Sequence, residues 1–160
     1  MANFYLYFVN RINAKPRLKS LLKKANKLLP LLVFFLYACT LIYAINYLQD
    51  HFMKMVIVPF VCFLVTSAFR KIISRKRPFT IYDYKPIGDI KHDRESFPSR
   101  HATSAFVIGF SILPYVPTMG IVITVIAVVI SIFRVICGIH YISDVLGGLA
   151  VAFMFAYVIF

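Results

Sequence analysis

Four ionisable side chains stand out in the largely apolar last third of the chain: His101, Arg134, His140 and Asp144. Asp144 is the only carboxylate side chain after Glu95. Ionisable groups in or beside a membrane-spanning segment are costly to keep there and are usually retained for function. Two imidazoles, one acid and a guanidinium can together hold a phosphate and move protons around it. These residues therefore predict a phosphate site.

The pair His140 and Asp144 carries the most specific chemistry. A spacing of four residues places both side chains on one face if the stretch is helical. If a turn leads instead into a helix capped by Ser143, the two side chains can still approach each other. In either case the carboxylate would fix the imidazole tautomer and leave the other ring nitrogen free to attack phosphorus. A structural His–Asp pair is the alternative.

Two upstream clusters supply further groups. Residues 70–78 read RKIISRKRP, and guanidinium groups bind phosphate oxygens in a fork while staying charged. Such a run at a membrane boundary is also typical of a topology anchor. Residues 96–101 read SFPSRH: Ser99 can cap a helix whose free N–H groups attract an oxyanion, and His101 can protonate a leaving oxygen. The alternative for this cluster is an N-cap followed by an interfacial histidine.

The composition indicates the elements that must position these groups. The chain has 160 residues, 61% of them hydrophobic and only 15% charged, with a mean hydropathy of +0.80. These values are typical of a polytopic membrane protein and leave room for one helical bundle. The net charge of +12 would suggest nucleic acid in a soluble protein. Here the cations flank apolar segments, so membrane lipids and a lipid phosphate substrate are the expected partners, with no nucleic acid and no obligate protein partner.

The predicted fold is an all-α transmembrane bundle. A basic amphipathic helix over residues 16–29 is expected at the membrane interface, which divides the chain into an N-terminal segment, 1–27, and a transmembrane domain, 28–160. Five apolar segments predict five spans, at residues 28–48, 52–69, 102–117, 119–133 and 145–160. A sixth span beginning near Phe4 is the alternative, and it would have to tolerate Arg11 and Lys15.

The five-span topology places the three clusters on one side of the membrane. That side holds every Lys and Arg except Lys54. The positive-inside rule then favours the cytoplasm, although several of these cations are better explained as substrate ligands.

The three clusters resemble the three-part signature of the type 2 phosphatidic acid phosphatase (PAP2) superfamily of membrane lipid phosphatases. That pattern is Lys, six residues, Arg-Pro; then Pro-Ser-Gly-His; then Ser-Arg, five residues, His, three residues, Asp. The matching residues, in chain order, are Arg70, Arg77, Pro78, Pro98, Ser99, Arg100, His101, Phe133, Arg134, His140 and Asp144.

The chain departs from the family pattern at three of these positions. Arg70 stands where Lys is usual, and Lys71 would serve instead with a slip of one residue. Arg100 replaces Gly, which adds a cation, and Phe133 replaces Ser, which removes a hydroxyl. None of these changes removes a nucleophile or a proton-transfer group.

The resemblance implies a role for each matched residue. His140 would be the nucleophile that forms a phosphohistidine, Asp144 would orient it, and His101 would serve as general acid and then base. The phosphate would be held by Arg70 or Lys71, Arg77, Ser99, Arg100 and Arg134. The family needs no metal or other cofactor. Asp83, Asp89, His92, Asp93 and Glu95 have no standard metal-ligand spacing and favour a solvated loop.

The expected function is a metal-independent membrane lipid phosphatase that hydrolyses a phosphomonoester or diphosphate headgroup. Phosphatidylglycerophosphate, phosphatidate and undecaprenyl diphosphate are the substrate types to consider. The same chemistry with an acceptor other than water would make a phosphotransferase. A non-catalytic protein that binds anionic lipids is the alternative from another class, and it would not need the pair His140–Asp144.

Overall fold

The elements of the fold are seen in a computed structural model, which describes residues 2–88, 90 and 92–159. Seven α-helices are present in this part of the chain: α1 (Ala2–Asn13), α2 (Pro16–Tyr47), α3 (Gln49–Ile73), α4 (Pro78–Ile81), α5 (Arg100–Ile112), α6 (Pro117–Ile136) and α7 (Ile142–Met154). A π-helical turn, Phe155–Ile159, extends α7. The all-helical class predicted from the sequence is confirmed for the described residues.

The amphipathic segment and the first predicted span form one helix, α2, of 32 residues. Pro16 opens it at a position where a missing N–H has no cost, and the only proline inside it is Pro30. A helix of this length is about 48 Å long, against a hydrocarbon core of roughly 30 Å. The basic first turns therefore extend beyond the apolar layer as part of α2. The predicted boundary between residues 27 and 28 falls inside this helix.

Four stretches are long and apolar enough to cross a membrane: Pro16–Tyr47, Gln49–Ile81, Pro117–Ile136 and Ile142–Ile159. The predicted third span is shorter than expected, because α5 ends at Ile112 rather than at residue 117. Its 13 residues extend about 20 Å. Pro114 and Pro117 lie just beyond it, where they cannot continue its hydrogen-bond ladder. The total of five spans remains a prediction.

The alternative of a sixth span near Phe4 falls on α1. This helix has 12 residues and is about 18 Å long, too short for a full crossing. It packs instead through the buried Tyr5, whose ring stacks 6.0 Å from that of Tyr82 and 6.5 Å from that of Tyr84. The ring of Tyr141 meets Tyr5 edge-on at 6.0 Å.

The short helix α5 lies at the centre of the bundle and packs against α3, α6 and α7. It buries a nearly continuous set of small and apolar side chains, from Ala102 to Ile112. Close packing against α7 depends on Gly148, where an added Cβ would lie 2.7 Å from Thr103 Oγ1. By contrast, large side chains of α2 such as Phe35 and Ile42 are exposed, as expected for a lipid-facing helix.

Candidate active site

Four helix ends meet at one end of the bundle. The C-termini of α3 and α6, the N-terminus of α5 and the segments that precede α4, α5 and α7 enclose a cavity of about 140 Å³. This volume is below the roughly 300–1,000 Å³ of pockets that hold a drug-sized molecule, and it fits a small anion. The cavity is lined by Arg70, Arg77, Ile90, His92, Arg100, His101, Arg134 and His140. All three sequence clusters therefore contribute to one cavity.

A tight turn after α6 places His140 at the cavity. The backbone N–H groups of Ile139 and His140 both donate to the carbonyl of Arg134, at 3.0 and 3.2 Å. Gly138 makes the turn possible with a φ of +70°, a conformation that side chains with a Cβ rarely adopt. The hydroxyl of Tyr84 donates to the Gly138 carbonyl at 2.9 Å. An added Cβ at Gly138 would lie 2.6 Å from the Tyr84 ring.

Gly138→Ala is expected to destabilise the protein, because both the backbone conformation and the Tyr84 ring oppose a side chain there. The left-handed conformation alone costs about 1–3 kcal/mol in a non-glycine residue. The thermal midpoint of the detergent-solubilised protein measures the effect. The control is Thr118→Ala at the exposed start of α6, which should change stability by no more than about 0.5 kcal/mol. Equal midpoints for G138A and T118A would contradict the requirement for glycine.

The hydrogen bonds of His140 define the roles of its two ring nitrogens. Nδ1 lies 3.3 Å from Asp144 Oδ2, and Nε2 lies 3.3 Å from Arg77 Nη1. A guanidinium can only donate, so Nε2 must be the acceptor and Nδ1 must carry the proton. Burial lowers the pKa of His140 from 6.5 to about 4, while the hydrogen bond with Asp144 acts in the opposite direction. His140 is therefore neutral at pH 7, and its Nε2 lone pair is directed at Arg77, one of the arginines that line the cavity.

The carboxylate of Asp144 is fully buried and surrounded by donors. Oδ2 accepts from the backbone N–H of Tyr141 at 2.9 Å and from the hydroxyl of Ser96, besides its contact with His140. Oδ1 accepts from Arg75 Nη1 at 2.8 Å. The residue that precedes the helix as its cap is Tyr141, not Ser143 as the sequence suggested. Asp144 lies in the first turn of α7, where a negative charge is favourable.

Three buried arginines form the cationic wall of the cavity. Arg70 donates to the carbonyl of Pro98, and Arg77 Nη1 donates to the carbonyl of Ile139 at 3.3 Å. Arg134 lines the same cavity from the last turn of α6. Within the described residues, Arg134 Nε has no hydrogen-bond partner although it is buried. Buried donors are nearly always paired, so this atom is available to an anion.

The N-terminus of α5 contributes the second cluster. Ser99 stands at the N-cap position, as the sequence suggested, but its hydroxyl is buried and makes no hydrogen bond within the described part of the chain. Arg100 and His101 follow in the first turn, and both line the cavity. The free N–H groups of this turn add to the attraction for an anion.

Lys71 does not share the position of its neighbour. Arg70 is buried in the cavity, whereas Lys71 is exposed and is not among the residues that line it. Successive residues of a helix point about 100° apart, so only one of the two can face the site. The structure thus favours the matched position over the one-residue slip.

The structure gives three residues a place that the sequence did not predict: Arg75 was only one member of the basic run, Ser96 had no specific role, and His92 was assigned to a solvated loop. Ser96 and Arg75 hold Asp144, and His92 lines the cavity. Arg75 lies in the cluster of residues 70–78 and Ser96 in the cluster of residues 96–101. The sequence therefore indicated that both lie near the site, but not that both contact Asp144. Of the loop residues considered for a metal, Asp89 lies outside the described residues. Among those described, no group of three potential metal ligands occurs.

The fold and the site together define an integral membrane protein with a histidine–carboxylate pair facing a cationic cavity at one end of a helical bundle. Comparison with known proteins agrees: the model of the PAP2 superfamily matches residues 53–160. The chain belongs to the PAP2 superfamily, which confirms the resemblance found in its motifs.

Individual relatives support the same conclusion. The chain is 29% identical to phosphatidylglycerophosphatase B of Bacillus subtilis (strain 168) over 107 residues, which cover 60% of this chain and 50% of the relative. The matched region is thus about half the length of that curated relative.

Two solved structures share the fold. A crystal structure of a transmembrane PAP2-type phosphatidylglycerolphosphate phosphatase from Bacillus subtilis superposes with a TM-score of 0.70 at 24% identity, covering 99% of this chain and 81% of that one. Aquifex aeolicus LpxE gives a TM-score of 0.72 at 17% identity, with coverages of 95% and 89%.

Proposed function

We propose that the protein is a metal-independent lipid phosphatase that works through a phosphohistidine. The observation that carries the proposal is the environment of His140. Its Nε2 faces a cavity lined by arginines, its Nδ1 proton faces a buried carboxylate, and the second imidazole, His101, lines the same cavity. A nucleophile, an orienting acid and a second proton-transfer group are the parts that covalent catalysis requires.

The proposed reaction has two steps. In the first, the anionic headgroup favours the protonated form of His101. Nε2 of His140 then bonds to phosphorus while the bond from phosphorus to the leaving oxygen breaks, and His101 gives its proton to that oxygen. Asp144 stabilises the positive charge that develops on the imidazole. In the second, His101 takes a proton from water as the water oxygen attacks phosphorus, and the bond to Nε2 breaks. Arg70, Arg77 and Arg134 balance the charge of the phosphoryl oxygens in both steps.

An apolar trough next to the cavity supports a lipid substrate. Arg100 and His101 also line a second cavity of about 290 Å³, whose other lining residues include Pro30, Phe34 and Phe63. This cavity shares Phe34 and Phe63 with a third one of about 350 Å³ between α2, α3 and α5. Phe34 and Phe63 are exposed, so the trough opens towards the lipid-facing surface. A headgroup in the phosphate cavity would leave its hydrocarbon chain in this trough.

A phosphate-release screen tests the proposal. The detergent-solubilised protein is incubated with phosphatidylglycerophosphate, phosphatidate and undecaprenyl diphosphate, with and without EDTA, and inorganic phosphate is measured. Release from at least one lipid, unchanged by EDTA, is the expected result. A strict requirement for Mg²⁺ would overturn the metal-independent mechanism.

The screen also separates the two alternatives. A phosphotransferase would consume the lipid phosphate in the presence of an alcohol acceptor and yield a phosphorylated acceptor rather than free phosphate. A protein that only binds anionic lipids would bind the same lipids without turnover. The alignment of His140 with Asp144 is the feature that favours catalysis over binding, because binding needs only the arginines.

We also propose that the site faces the cytoplasm. Four of the cations at this end line the cavity and are explained by the substrate: Arg70, Arg77, Arg100 and Arg134. The substrate does not explain the basic residues in the first turns of α2 or exposed cations such as Lys85. The charge of these residues still favours the cytoplasmic side.

Cysteine labelling tests this orientation. Lys85→Cys, in a background with Cys39→Ser, is expected to react with a membrane-impermeant maleimide only after the cells are permeabilised. The unsubstituted C39S protein gives the background, because the remaining cysteines, Cys62 and Cys137, are buried. Full labelling of intact cells would place the site on the outer side.

A further inference from the structure

Arg100 occupies the junction between the phosphate cavity and the apolar trough. It is the first residue of α5, and it lines both the cavity of about 140 Å³ and the neighbouring one of about 290 Å³. Its guanidinium lies over the ring of Phe63, 6.0 Å from the centroid. It therefore stands on the side of the phosphate cavity from which a lipid chain would emerge.

The side chain of Arg100 differs from the other three arginines of the cavity in its exposure and its contacts. Arg70, Arg77 and Arg134 are buried, whereas Arg100 is exposed. Among the described residues, Arg100 forms no ion pair, and the contact that holds its guanidinium is the one with Phe63. An exposed arginine that contacts only the face of an aromatic ring keeps its donors free for an anion.

The three buried arginines carry three positive charges, which already exceed the charge of one phosphoryl group. A phosphomonoester carries roughly −1.5 to −2 at pH 7. A fourth cation on the lipid side is useful when the leaving group is itself an anion. The leaving group of phosphatidate is an uncharged diacylglycerol. The leaving group of a diphosphate lipid is a lipid monophosphate, which is a phosphate monoester, and that of phosphatidylglycerophosphate is phosphatidylglycerol, which is a phosphate diester.

We propose that Arg100 is a specificity residue that binds a second phosphate on the leaving-group side, so that the preferred substrates are lipids with two phosphorus atoms. This inference rests on the proposed function and narrows its substrate class. Arg100 adjoins His101, which protonates the leaving oxygen in the proposed mechanism. The second phosphate of a diphosphate is bonded to that oxygen, whereas that of phosphatidylglycerophosphate is separated from it by a glycerol unit.

The test compares three lipids in the wild-type protein, Arg100→Gly and Arg100→Lys. A hydrogen bond to a charged group contributes about 1.5–3 kcal/mol, which is a change of roughly 10- to 150-fold. R100G is therefore expected to lower kcat/KM by about 10- to 150-fold for undecaprenyl diphosphate, phosphatidylglycerophosphate or both. The loss on phosphatidate should be at least about tenfold smaller than the loss on the more affected of these two lipids, and R100K should recover part of that difference. The lipid with the larger loss shows whether Arg100 binds a phosphate next to the leaving oxygen or one that lies a glycerol unit away.

Two controls keep the outcomes distinct. Lys85→Gln removes another exposed cation that lines neither cavity, and it should leave all three rates unchanged. Methylenediphosphonate, which carries two phosphorus groups, should inhibit the wild type at least tenfold more strongly than inorganic phosphate. R100K should keep part of this preference, so the comparison still tests Arg100 if R100G does not fold.

An equal loss on all three lipids, or no loss on any, would overturn the role of Arg100 while leaving the phosphatase proposal intact. The absence of phosphate release from every lipid by the wild type would instead remove the proposed function itself.

Discussion

His140→Gln is expected to reduce phosphate release by more than about 10⁴-fold, as is typical when a catalytic nucleophile is removed. The glutamine side chain cannot form the proposed covalent bond to phosphorus through a ring nitrogen. The three buried arginines remain, so binding of the lipid phosphate should persist. The loss is therefore expected in kcat rather than in KM, and steady-state kinetics on the best substrate of the screen measures it.

The intermediate itself gives a second measurement. Wild-type protein quenched with denaturant during turnover of a ³²P-labelled lipid should carry acid-labile phosphate on His140, and H140Q should carry none. The control is His51→Gln, at the opposite end of the bundle, where the imidazole stacks on Tyr115 at 4.3 Å. H51Q should turn over normally. Wild-type rates in H140Q, or label on another residue, would refute the assignment of the nucleophile.

Asp144→Asn is expected to lower kcat by about 10⁴-fold, the size known for loss of the orienting acid in a catalytic triad. Four donors surround this carboxylate: Nδ1 of His140, the hydroxyl of Ser96, the N–H of Tyr141 and Nη1 of Arg75. An asparagine has one accepting oxygen and an NH₂ group that only donates, so it cannot accept from all four. The imidazole would lose its orientation and the support of its cationic state.

The pH profile separates this role from simple damage to the fold. The wild-type acid limb of kcat/KM should lie well below 6.5, because burial holds the pKa of His140 at about 4. The hydrogen bond with Asp144 raises that pKa, so its removal should move the acid limb to still lower pH.

Ser143→Ala is the matched control for Asp144. It removes the hydroxyl that Arg75 also contacts, at 2.9 Å, and leaves the carboxylate in place. This variant should retain its activity within about threefold. A D144N protein with wild-type kcat and an unchanged pH profile would contradict the orienting role.

The spacing of residues in the sequence carried most of the information about the site. His140 and Asp144 are four residues apart, and at that distance either a helix or a turn brings the side chains together. The matched positions of the first and second clusters, Arg77 and His101, likewise line the cavity. Hydropathy was sufficient to predict helices and a membrane protein, because long apolar segments have few other structures available.

The extent of the helices was less predictable. Charge composition suggested an interfacial helix and then a span, but backbone hydrogen bonding continues through both as α2. The segment after His101 has the composition of a span, yet α5 ends after 13 residues. Hydropathy is averaged over a stretch of sequence, whereas a helix ends where its backbone hydrogen bonds end. The end of an apolar stretch and the end of a helix therefore need not coincide.

Contacts between clusters were decided by the tertiary structure alone. The choice of Arg70 over Lys71, the binding of Asp144 by Ser96 and Arg75, and the position of Arg100 between two cavities all depend on how distant helices rotate and pack. Neither residue spacing nor hydropathy specifies that rotation, because many helix arrangements satisfy the same apolar pattern. The sequence by itself determined which groups could act on a phosphate. Only the packing of α3, α5, α6 and α7 determined which of them face it.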